Sequence, residues 1–278
     1  MKNSFKTLID WLGDSGICVI FAPPRTGKTA LLTAIANEFA FNRERFKKMK
    51  EQIKLLNAGG FNLSYGQHCV YSNYNITFKK FRHSRRKSYL FNPFKFGFFN
   101  KNVKTQFFRP CSVLAITEGQ KYLNSRKSKN YPAWQSRSYE QIGHNEILAL
   151  IDVQRPMLID ANIRELSKFI EVLSLKKIVK NRKIVKMIWQ LRLIDNSFLL
   201  DKYLASGKEL KVPEIEVSIS YNVFNLYNSK CCQPKFFEGH LNQDFDLFVG
   251  KNFEFTKESF SNYLKNLDDE LPEGFYEK

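Results

Sequence analysis

Between Gln52 and Thr117 the chain contains no aspartate or glutamate. The whole sequence of 278 residues has 44 Lys and Arg against 27 Asp and Glu, a formal net charge of +17. An excess of this size favours an anionic partner, either nucleic acid or an anionic membrane surface. A solvated basic surface without a specific partner is the alternative that the charge alone leaves open.

Long apolar runs are also missing. No stretch reaches the roughly 18 apolar residues that a membrane span needs. The densest apolar stretch, 187–200, is interrupted by Gln190, Arg192, Asp195 and Asn196. No adequate apolar run follows Lys2 or Lys6, so we do not expect a signal peptide at the N-terminus. The hydrophobic fraction of 43% is nevertheless typical of a globular chain, which is long enough for a full α/β core.

Cysteine is sparse and shows no metal-ligand spacing. Five cysteines leave an odd number for pairing, which argues against a disulfide framework and fits a reducing cytosol. Cys18, Cys69 and Cys111 lie in or beside strand-like runs, and we interpret them as small core residues. The adjacent Cys231 and Cys232 are interpreted as a free surface pair.

What the sequence does contain is a short apolar run at 17–21, then Ala-Pro-Pro-Arg-Thr-Gly-Lys-Thr at 22–29, then a second apolar run. This order predicts a buried strand, a tight loop and a helix. The spacing is that of a phosphate-binding P-loop, with Ala22 in place of the first glycine. An ordinary strand–helix turn is the alternative, which the agreement of motif and context disfavours.

A P-loop assigns specific roles to its residues. Backbone N–H groups of the loop and helix start would cradle phosphates, and Lys28 would reach the β- and γ-phosphates of ATP. The Thr29 hydroxyl would bind Mg²⁺, and Gly27 stands where a Cβ would block the backbone. The predicted ATP-binding residues are Pro23, Pro24, Arg25, Thr26, Gly27, Lys28, Thr29 and Ala30.

Two later apolar runs each end in a polar side chain. The first, 112–118, is predicted as the strand that carries the Walker B carboxylates, in which an Asp normally holds Mg²⁺ and a following Glu polarises water. Thr117 occupies the Asp position and brings no negative charge, although its hydroxyl can orient a metal-bound water. Glu118 follows as the candidate catalytic carboxylate, with a solvated helix-start residue as the alternative. The second run ends at Gln154, an amide placed to sense the γ-phosphate or to hold the water.

The acid-free stretch is rich in both cations and aromatics. Cations alternating with aromatics are typical of single-stranded nucleic-acid binding. The alternative is a basic insertion whose phenylalanines pack on the core or on a neighbouring subunit, and the two interpretations are compatible. The candidate nucleic-acid contacts are Lys79, Lys80, Arg82, Arg85, Arg86 and Lys87.

Other segments predict the remaining elements. Helices are predicted at 3–12, at 28–39 with a possible continuation through 43–56, at 140–144, and at 159–169 with Asp160 as N-cap. Strands are predicted at 69–73, 184–195 and 212–224. The acidic segment 244–278 is predicted to hold one helix and a frayed end.

Several motifs occur in an order that resembles the zonular occludens toxin-like family, which includes the filamentous-phage assembly ATPases. The resemblance covers about residues 15–230. It is carried by the P-loop 22–29, by 70–73, by 112–120 with Thr117-Glu118-Gly119-Gln120, by Arg126, and by 143–145, 154–156, 159–160, 163–166 and 223–229.

The resemblance implies an α/β, RecA-like P-loop NTPase of the FtsK–HerA type. Its central sheet would be mainly parallel and flanked by helices, with a basic aromatic insertion and a small C-terminal appendage. The NTPase domain would span 1–232, with the insertion at about 74–110, and the acidic tail 233–278. Such an ATPase uses ATP and Mg²⁺ and drives phage assembly and export at the host inner membrane.

The resemblance also implies partners. These are a homo-oligomer, expected as a ring, together with viral single-stranded DNA or nucleoprotein and other phage assembly proteins. A neighbouring subunit in such rings often supplies an arginine, for which Arg164 is the first candidate beside Arg126 and Arg155; a structural salt bridge is the alternative for each. Since no membrane span is visible, the expected location is the host cytoplasm or the cytoplasmic face of the inner membrane, with peripheral attachment.

Two other functions stay open at this point. The absence of a carboxylate at Thr117 favours a nucleotide-binding assembly scaffold or DNA-binding protein with little turnover. A small-molecule kinase is a more distant alternative, because the large basic insertion suits a polymer better than a metabolite.

Overall fold

The computed structural model describes residues 4–59, 65–79, 85–91, 93, 108–123, 138–144, 146–207 and 209–227. Its helices are α1 (Ser4–Leu12), α2 (Lys28–Ala40), α3 (Arg43–Ala58), α4 (Ala161–Glu165) and α5 (Ser197–Ala205). Its strands are β1 (Gly16–Phe21), β2 (Val70–Ser72), β3 (Thr77–Lys79), β4 (Arg85–Lys87), β5 (Tyr89–Leu90), β6 (Val113–Ile116), β7 (Leu148–Val153), β8 (Ser167–Lys180), β9 (Lys183–Ile194) and β10 (Glu214–Ile219).

Eight of these strands form one sheet in the order β10-β9-β8-β1-β7-β6-β2-β5. The six strands from β8 to β5 are parallel to their neighbours, while β9 is antiparallel to both β8 and β10. The predicted mainly parallel α/β fold is therefore confirmed. Because β1 lies between β7 and β8, the loop after β1 opens at the carboxyl edge of the sheet, where ligands of such folds bind.

Both faces of this sheet are covered, as the continuous apolar runs of β1 and β7 require. Alternate residues of β1 enter two different cores: Cys18 and Ile20 pack with α1, α2 and α3, whereas Val19 and Phe21 pack with α4 and α5. The three predicted core cysteines, Cys18, Cys69 and Cys111, are all buried. The central strand is thus held on both sides, which keeps its C-terminal loop in a defined place.

The charged segment after α2 forms a separate helix. Phe41 ends α2, and Asn42 begins α3 by accepting a hydrogen bond from the N–H of Arg45. Only Arg45, Met49 and Ile53 of α3 are buried, so the rest of the helix presents charge to solvent. The continuation of α2 through this segment, which the sequence left possible, is wrong because the N-cap interrupts it.

The helix predicted at 159–169 is too long. Asp160 caps the helix as predicted, by accepting from the N–H of Asn162, but α4 ends at Glu165. The next residues enter β8, whose Ser167 and Phe169 pair with Ile17 and Val19 of β1. Pairing with the central strand over-rides the local helical pattern, since those hydrogen bonds come from a segment about 150 residues away. The helix predicted at 140–144 likewise fails, because 141–144 forms a turn.

Strands β8 and β9 form a long two-stranded ribbon, which we call the basic ribbon and define as residues 175–187. The two strands pair as far as Lys180 and Lys183 and are joined by Asn181 and Arg182, both at positive φ (49° and 59°). Strand β9 was predicted, but its partner was not. The outer part of the basic ribbon is largely exposed, in contrast to the buried beginning of β8.

The described part of the basic insertion is anchored to the core. Strands β3 and β4 pair in antiparallel fashion. Phe78 and Phe91 are fully buried, so these two rings pack in the core and are not exposed for stacking on a nucleic-acid base. Arg86 donates to the carbonyl of Ala40 at 2.9 Å and lies over the Phe41 ring.

The structure describes only some of the remaining predicted nucleic-acid contacts. Lys79 and Lys87 are exposed, Arg85 is described only as part of strand β4, and Lys80 and Arg82 lie outside the described residues. A nucleic-acid role for this cluster therefore stays a prediction.

None of the described helices is both long enough and apolar enough to cross a membrane. The domain boundary at 232, the acidic tail, Arg126 and the Cys231–Cys232 pair fall outside the described ranges.

Candidate nucleotide-binding site

The loop between β1 and α2 has the backbone of a phosphate cradle. Gly27 caps α2 at a φ of 89°, a left-handed conformation that favours glycine, and Arg25 is left-handed as well, at 65°. The Thr26 hydroxyl donates to the carbonyl of Pro23 at 2.8 Å, which closes the loop. The N–H groups at the start of α2 therefore point out of the loop, where an anion is favoured by the helix dipole.

Lys28 lies across this loop. Its Nζ donates to the carbonyls of Ala22 and Pro23, both at 2.8 Å, and the residue is only 8% exposed. Burial lowers the pKa of Lys28, while the carboxylates of Asp152 and Glu118 act in the opposite direction. A desolvated ammonium held by two neutral carbonyls would gain strongly from a phosphate oxygen.

The carboxylate of Asp152 lies behind the loop, at the end of β7. Its Oδ2 accepts from the hydroxyls of Thr29 at 2.8 Å and Thr117 at 2.9 Å, and its Oδ1 accepts from the N–H of Glu118 at 2.8 Å. Asp152 is 1% exposed, and burial raises its pKa while the three hydrogen bonds oppose that rise. This residue was not predicted from the sequence, although a carboxylate within the apolar run 147–153 is a visible signal.

Thr117 is fixed by an amide clamp. The side chain of Asn73, fully buried at the end of β2, donates to the Thr117 carbonyl at 2.9 Å and accepts from the Thr117 N–H at 2.8 Å. Both backbone groups of Thr117 are thereby satisfied after β6 has ended. The Thr117 hydroxyl lies 3.3 Å from that of Thr29, so the two predicted metal-site residues do meet.

Glu118 adopts a left-handed backbone, with φ 56° and ψ 41°. This conformation is costly for a residue with a Cβ and is held by the bond from its N–H to Asp152. Its carboxylate accepts from Gln120 Nε2 at 2.8 Å and lies 3.6 Å from Lys121 Nζ. Gly119 then packs under β7, where a Cβ would come within 2.3 Å of Ile151.

A cavity of about 690 Å³ opens over the loop, within the size range of small-molecule sites. Its walls include all the predicted ATP-binding residues from Pro24 to Ala30, together with Glu118 and Gln154. The opposite wall was not predicted and comes from the base of the basic ribbon with the residue before it, and from the segment after β10. These residues are Ser174, Leu175, Lys177, Phe224 and Tyr227.

This arrangement is that of a P-loop in a mainly parallel α/β fold. No protein-family model matches the chain, and no curated protein matches it in sequence. Among solved structures it is similar to the N-terminal domain of zonular occludens toxin from Neisseria meningitidis, with a TM-score of 0.45, 14% identity, and coverage of 78% of this chain and all of that one.

A second similar structure is the genome-packaging NTPase of Sulfolobus turreted icosahedral virus 2 in complex with ATP-γS. It has a TM-score of 0.32 and 10% identity, with 66% of this chain and 98% of that one covered. The DNA-packaging ATPase of Sulfolobus turreted icosahedral virus gives 0.32 and 11%, with 71% and 96% covered. Likenesses at this level are too distant to transfer the role of any residue.

The predicted arginine is not brought to this cavity by its own chain. Arg164 lies in α4, half buried, with its Nη1 3.5 Å from the carbonyl of Ile159. Arg155 is exposed just after Gln154. Neither is among the residues that line the cavity. Among the described residues, a role for either arginine in this site therefore requires a second subunit.

Proposed function

We propose that this chain is an ATP-hydrolysing motor for the assembly or export of a filamentous phage, acting as a homo-oligomeric ring on viral DNA or assembly proteins. The observation that carries the proposal is the meeting of four parts at one edge of the sheet. These parts are the P-loop, the Thr29–Thr117–Asp152 cluster, Glu118 and Gln154. The ordered motifs that resemble the zonular occludens toxin-like family support the phage assignment.

Each residue of the site would have its own role in phosphoryl transfer. Loop N–H groups from Arg25 to Ala30 would bind the phosphates, and the Lys28 ammonium would move from its carbonyls to the β- and γ-oxygens. Glu118 would orient and polarise the attacking water, and Gln154 would contact the γ-phosphate. A ring neighbour's Arg164 would neutralise charge on the transferred group.

The donor atoms at Thr29, Thr117 and Asp152 are all oxygens, the ligand type that Mg²⁺ prefers, so the residues present fit this ion. Bound there, Mg²⁺ would neutralise charge on the β- and γ-phosphates. We place the site of action in the host cytoplasm or at the cytoplasmic face of the inner membrane, by peripheral attachment. The net charge of +17 supports anionic partners such as viral single-stranded DNA or nucleoprotein.

A nucleotide-binding scaffold with little turnover is the second candidate. The observation in its favour is that the Glu118 carboxylate already contacts Gln120 and Lys121, which competes with its use as a base.

Steady-state ATP turnover with and without single-stranded DNA separates the two candidates. The motor predicts turnover that Glu118→Gln lowers by about 10²-fold or more with ATP affinity retained. Glu165→Gln, an exposed change in α4 outside the cavity, is the matched control and should leave turnover intact. A wild-type protein that binds ATP without hydrolysing it would identify the scaffold instead.

A further inference from the structure

We propose that Asp152, from the strand next to the P-loop strand, supplies the metal-site charge that Thr117 lacks. Its carboxylate would act together with the hydroxyls of Thr29 and Thr117 in holding the Mg²⁺ of a bound nucleotide. This inference rests on the proposed function and assigns a residue that the sequence motifs did not.

Strand register explains why a carboxylate on β7 can take the place of the usual carboxylate on β6. Ile116 of β6 pairs with Ile151 of β7, so the residues that follow them, Thr117 and Asp152, stand side by side at the carboxyl edge. Asp152 in turn pairs with Ile20 of β1. The negative charge thus stands one strand closer to the P-loop than position 117 does.

The hydrogen bonds orient the hydroxyls for a cation. Thr29 and Thr117 both donate their protons to Oδ2 of Asp152, at 2.8 and 2.9 Å. A hydroxyl whose proton is taken by a carboxylate turns its lone pairs elsewhere, and those of Thr29 are then available to a metal at the loop. The Asp152 carboxylate therefore acts on the metal through the hydroxyls or through metal-bound water.

The Asp152 carboxylate makes no ion pair with the described residues, and the nearest cation that acts on it, the Lys28 ammonium, lies beyond ion-pair distance. Among the residues that the structure describes, no Lys, Arg or His nitrogen lies within ion-pair distance of Asp152, although the side chain is 1% exposed. A buried carboxylate without an ion pair is costly. A divalent cation at the Thr29 hydroxyl would compensate this buried negative charge. The cost of burying the charge is therefore a second observation that points to a bound cation.

The test compares nucleotide affinity with and without Mg²⁺ in full-length Asp152→Asn, using a fluorescent ATP analogue and EDTA as the metal-free condition. We expect the gain in affinity from Mg²⁺ to fall by about 10–100-fold, as for residues that support metal ligands, with metal-free affinity little changed. Mn²⁺ binding followed by electron paramagnetic resonance should weaken in parallel. Asp160→Asn, which removes a buried carboxylate elsewhere but keeps an N-cap acceptor for α4, is the control for stability.

A second variant keeps the inference testable if Asp152→Asn does not fold. Thr117→Asp adds a carboxylate at the usual position while Asp152 remains. Because we assign the charge to Asp152, this change should bring no gain in Mg²⁺-dependent affinity, and two adjacent carboxylates should weaken folding. A tenfold gain would show that the native site lacks a carboxylate and would overturn the proposal.

The outcomes separate this inference from the proposed function. Wild-type protein that binds no ATP analogue at all contradicts the function. Wild-type binding with an unchanged Mg²⁺ effect in Asp152→Asn contradicts only the role of Asp152.

A second inference comes from a different observation, the charge of the basic ribbon. We infer that the basic ribbon binds the phosphate backbone of nucleic acid. Between Glu171 and Asp195 the chain has no acidic residue. The ribbon concentrates six cations in eleven positions of a protruding hairpin, namely Lys176, Lys177, Lys180, Arg182, Lys183 and Lys186.

The shape of the ribbon suits an extended polyanion. Beyond the pairing of β8 with β1 and of β9 with β10, its two strands pair only with each other. Apolar side chains are exposed among the cations, with Val179 58% and Val185 40% exposed. Its base touches the P-loop, where Leu175 packs on Gly27, and Trp189 just beyond the ribbon donates from Nε1 to the Gly27 carbonyl at 3.3 Å. A ligand on the ribbon would therefore be joined to the nucleotide cavity by one continuous pair of strands.

The test neutralises the tip of the ribbon by Lys180→Gln, Arg182→Gln and Lys183→Gln in the full chain. The control removes the same charge from the exposed face of α3 by Lys47→Gln, Lys50→Gln and Lys54→Gln. Binding of a fluorescent single-stranded oligonucleotide is measured without nucleotide over a range of salt. Three lost phosphate contacts should lower the slope of log affinity against log salt by about 2 in the ribbon variant and not in the control.

Equal slopes for the ribbon variant and the wild type would overturn this inference. So would a ribbon variant that keeps DNA affinity but loses binding to vesicles containing phosphatidylserine, since the surface would then serve a membrane. Neither result depends on ATP hydrolysis, so failure here leaves the proposed motor untouched.

Discussion

Leu175 of the basic ribbon packs against Gly27 of the P-loop so closely that a Cβ on Gly27 would stand 2.6 Å from Leu175 Cδ2. The glycine is therefore required twice, for its φ of 89° and for its contact with a strand about 150 residues further along the chain. The ribbon and the phosphate cradle consequently pack against each other. A substitution in one of them should therefore alter the conformation of the other.

Gly27→Ala tests this contact. The strained backbone should lower the free energy of unfolding by about 1–3 kcal/mol, and the displaced loop should abolish tight ATP binding. Adding Leu175→Ala removes the side-chain overlap but not the left-handed strain, so it should recover part of the stability and little of the affinity. Urea denaturation and ATP-analogue titration are the measurements. Full recovery in the double variant would show that overlap alone requires the glycine.

Asn73→Ala should disturb the metal side of the site without touching the nucleotide. It leaves the N–H and carbonyl of Thr117 buried and unsatisfied, which costs about 1–3 kcal/mol for each group. Asn75→Ala, an exposed change two residues away, should be near neutral. Chemical denaturation gives the stability, and the Mg²⁺ dependence of nucleotide binding reports on Thr117. An Asn73→Ala protein as stable as Asn75→Ala would contradict the clamp.

Arg45 is expected to be the main structural arginine of the described chain. The residue is 4% exposed, and its guanidinium donates to the carbonyls of Asp14, Cys111, Ser112 and Glu146. Arg45→Met leaves these carbonyls without their donor and should cost at least about 3 kcal/mol, measured by urea unfolding. Arg43→Met, exposed on the same helix, is the control. Equal midpoints for the two variants would rule out this role.

His68 should make stability fall in mild acid. Its Nδ1 accepts from the N–H of Val70 and its Nε2 donates to the Lys87 carbonyl, so the folded protein holds the ring neutral. Burial, with Arg109 and Arg86 nearby, lowers the pKa of His68 from 6.5 to about 4. Because the unfolded chain takes up this proton first, stability is complete above pH 6.5 and declines towards pH 4, by about 3 kcal/mol.

Urea unfolding at several pH values between 7 and 4 measures that decline. His68→Gln should flatten this part of the profile, whereas the exposed His144→Gln serves as the control variant. An unchanged profile in His68→Gln would assign the acid sensitivity to other groups.

Mixing of subunits tests whether Arg164 acts in a neighbouring site. Arg164→Ala and Glu118→Gln should each be nearly inactive alone, because one lacks the arginine and the other the base. In a mixture, some interfaces combine an intact Glu118 with an intact Arg164, so turnover should rise above both. Arg155→Ala is tested in the same way, and the arginine whose variant shows no complementation has no role in trans.

The sequence by itself determined the phosphate side of the site. Strand β1, the loop 22–29 and α2 are contiguous, so local hydrogen bonding and backbone preferences are enough to specify them. The same holds for the helix caps at Asn42 and Asp160, of which only Asp160 was predicted.

Tertiary structure alone decided the metal side and the far wall of the cavity. Thr117 and Asp152 are 35 residues apart and become neighbours only because β7 inserts between β6 and β1. Leu175 and Lys177 reach the loop because 167–171 pairs with β1 rather than continuing α4, and β8 then runs on past the loop. Strand order and register depend on the burial of the whole sheet, which no single segment encodes. The carboxylate that we propose in place of the one missing at Thr117 therefore stands in the sequence at Asp152, on a strand whose position only the fold reveals.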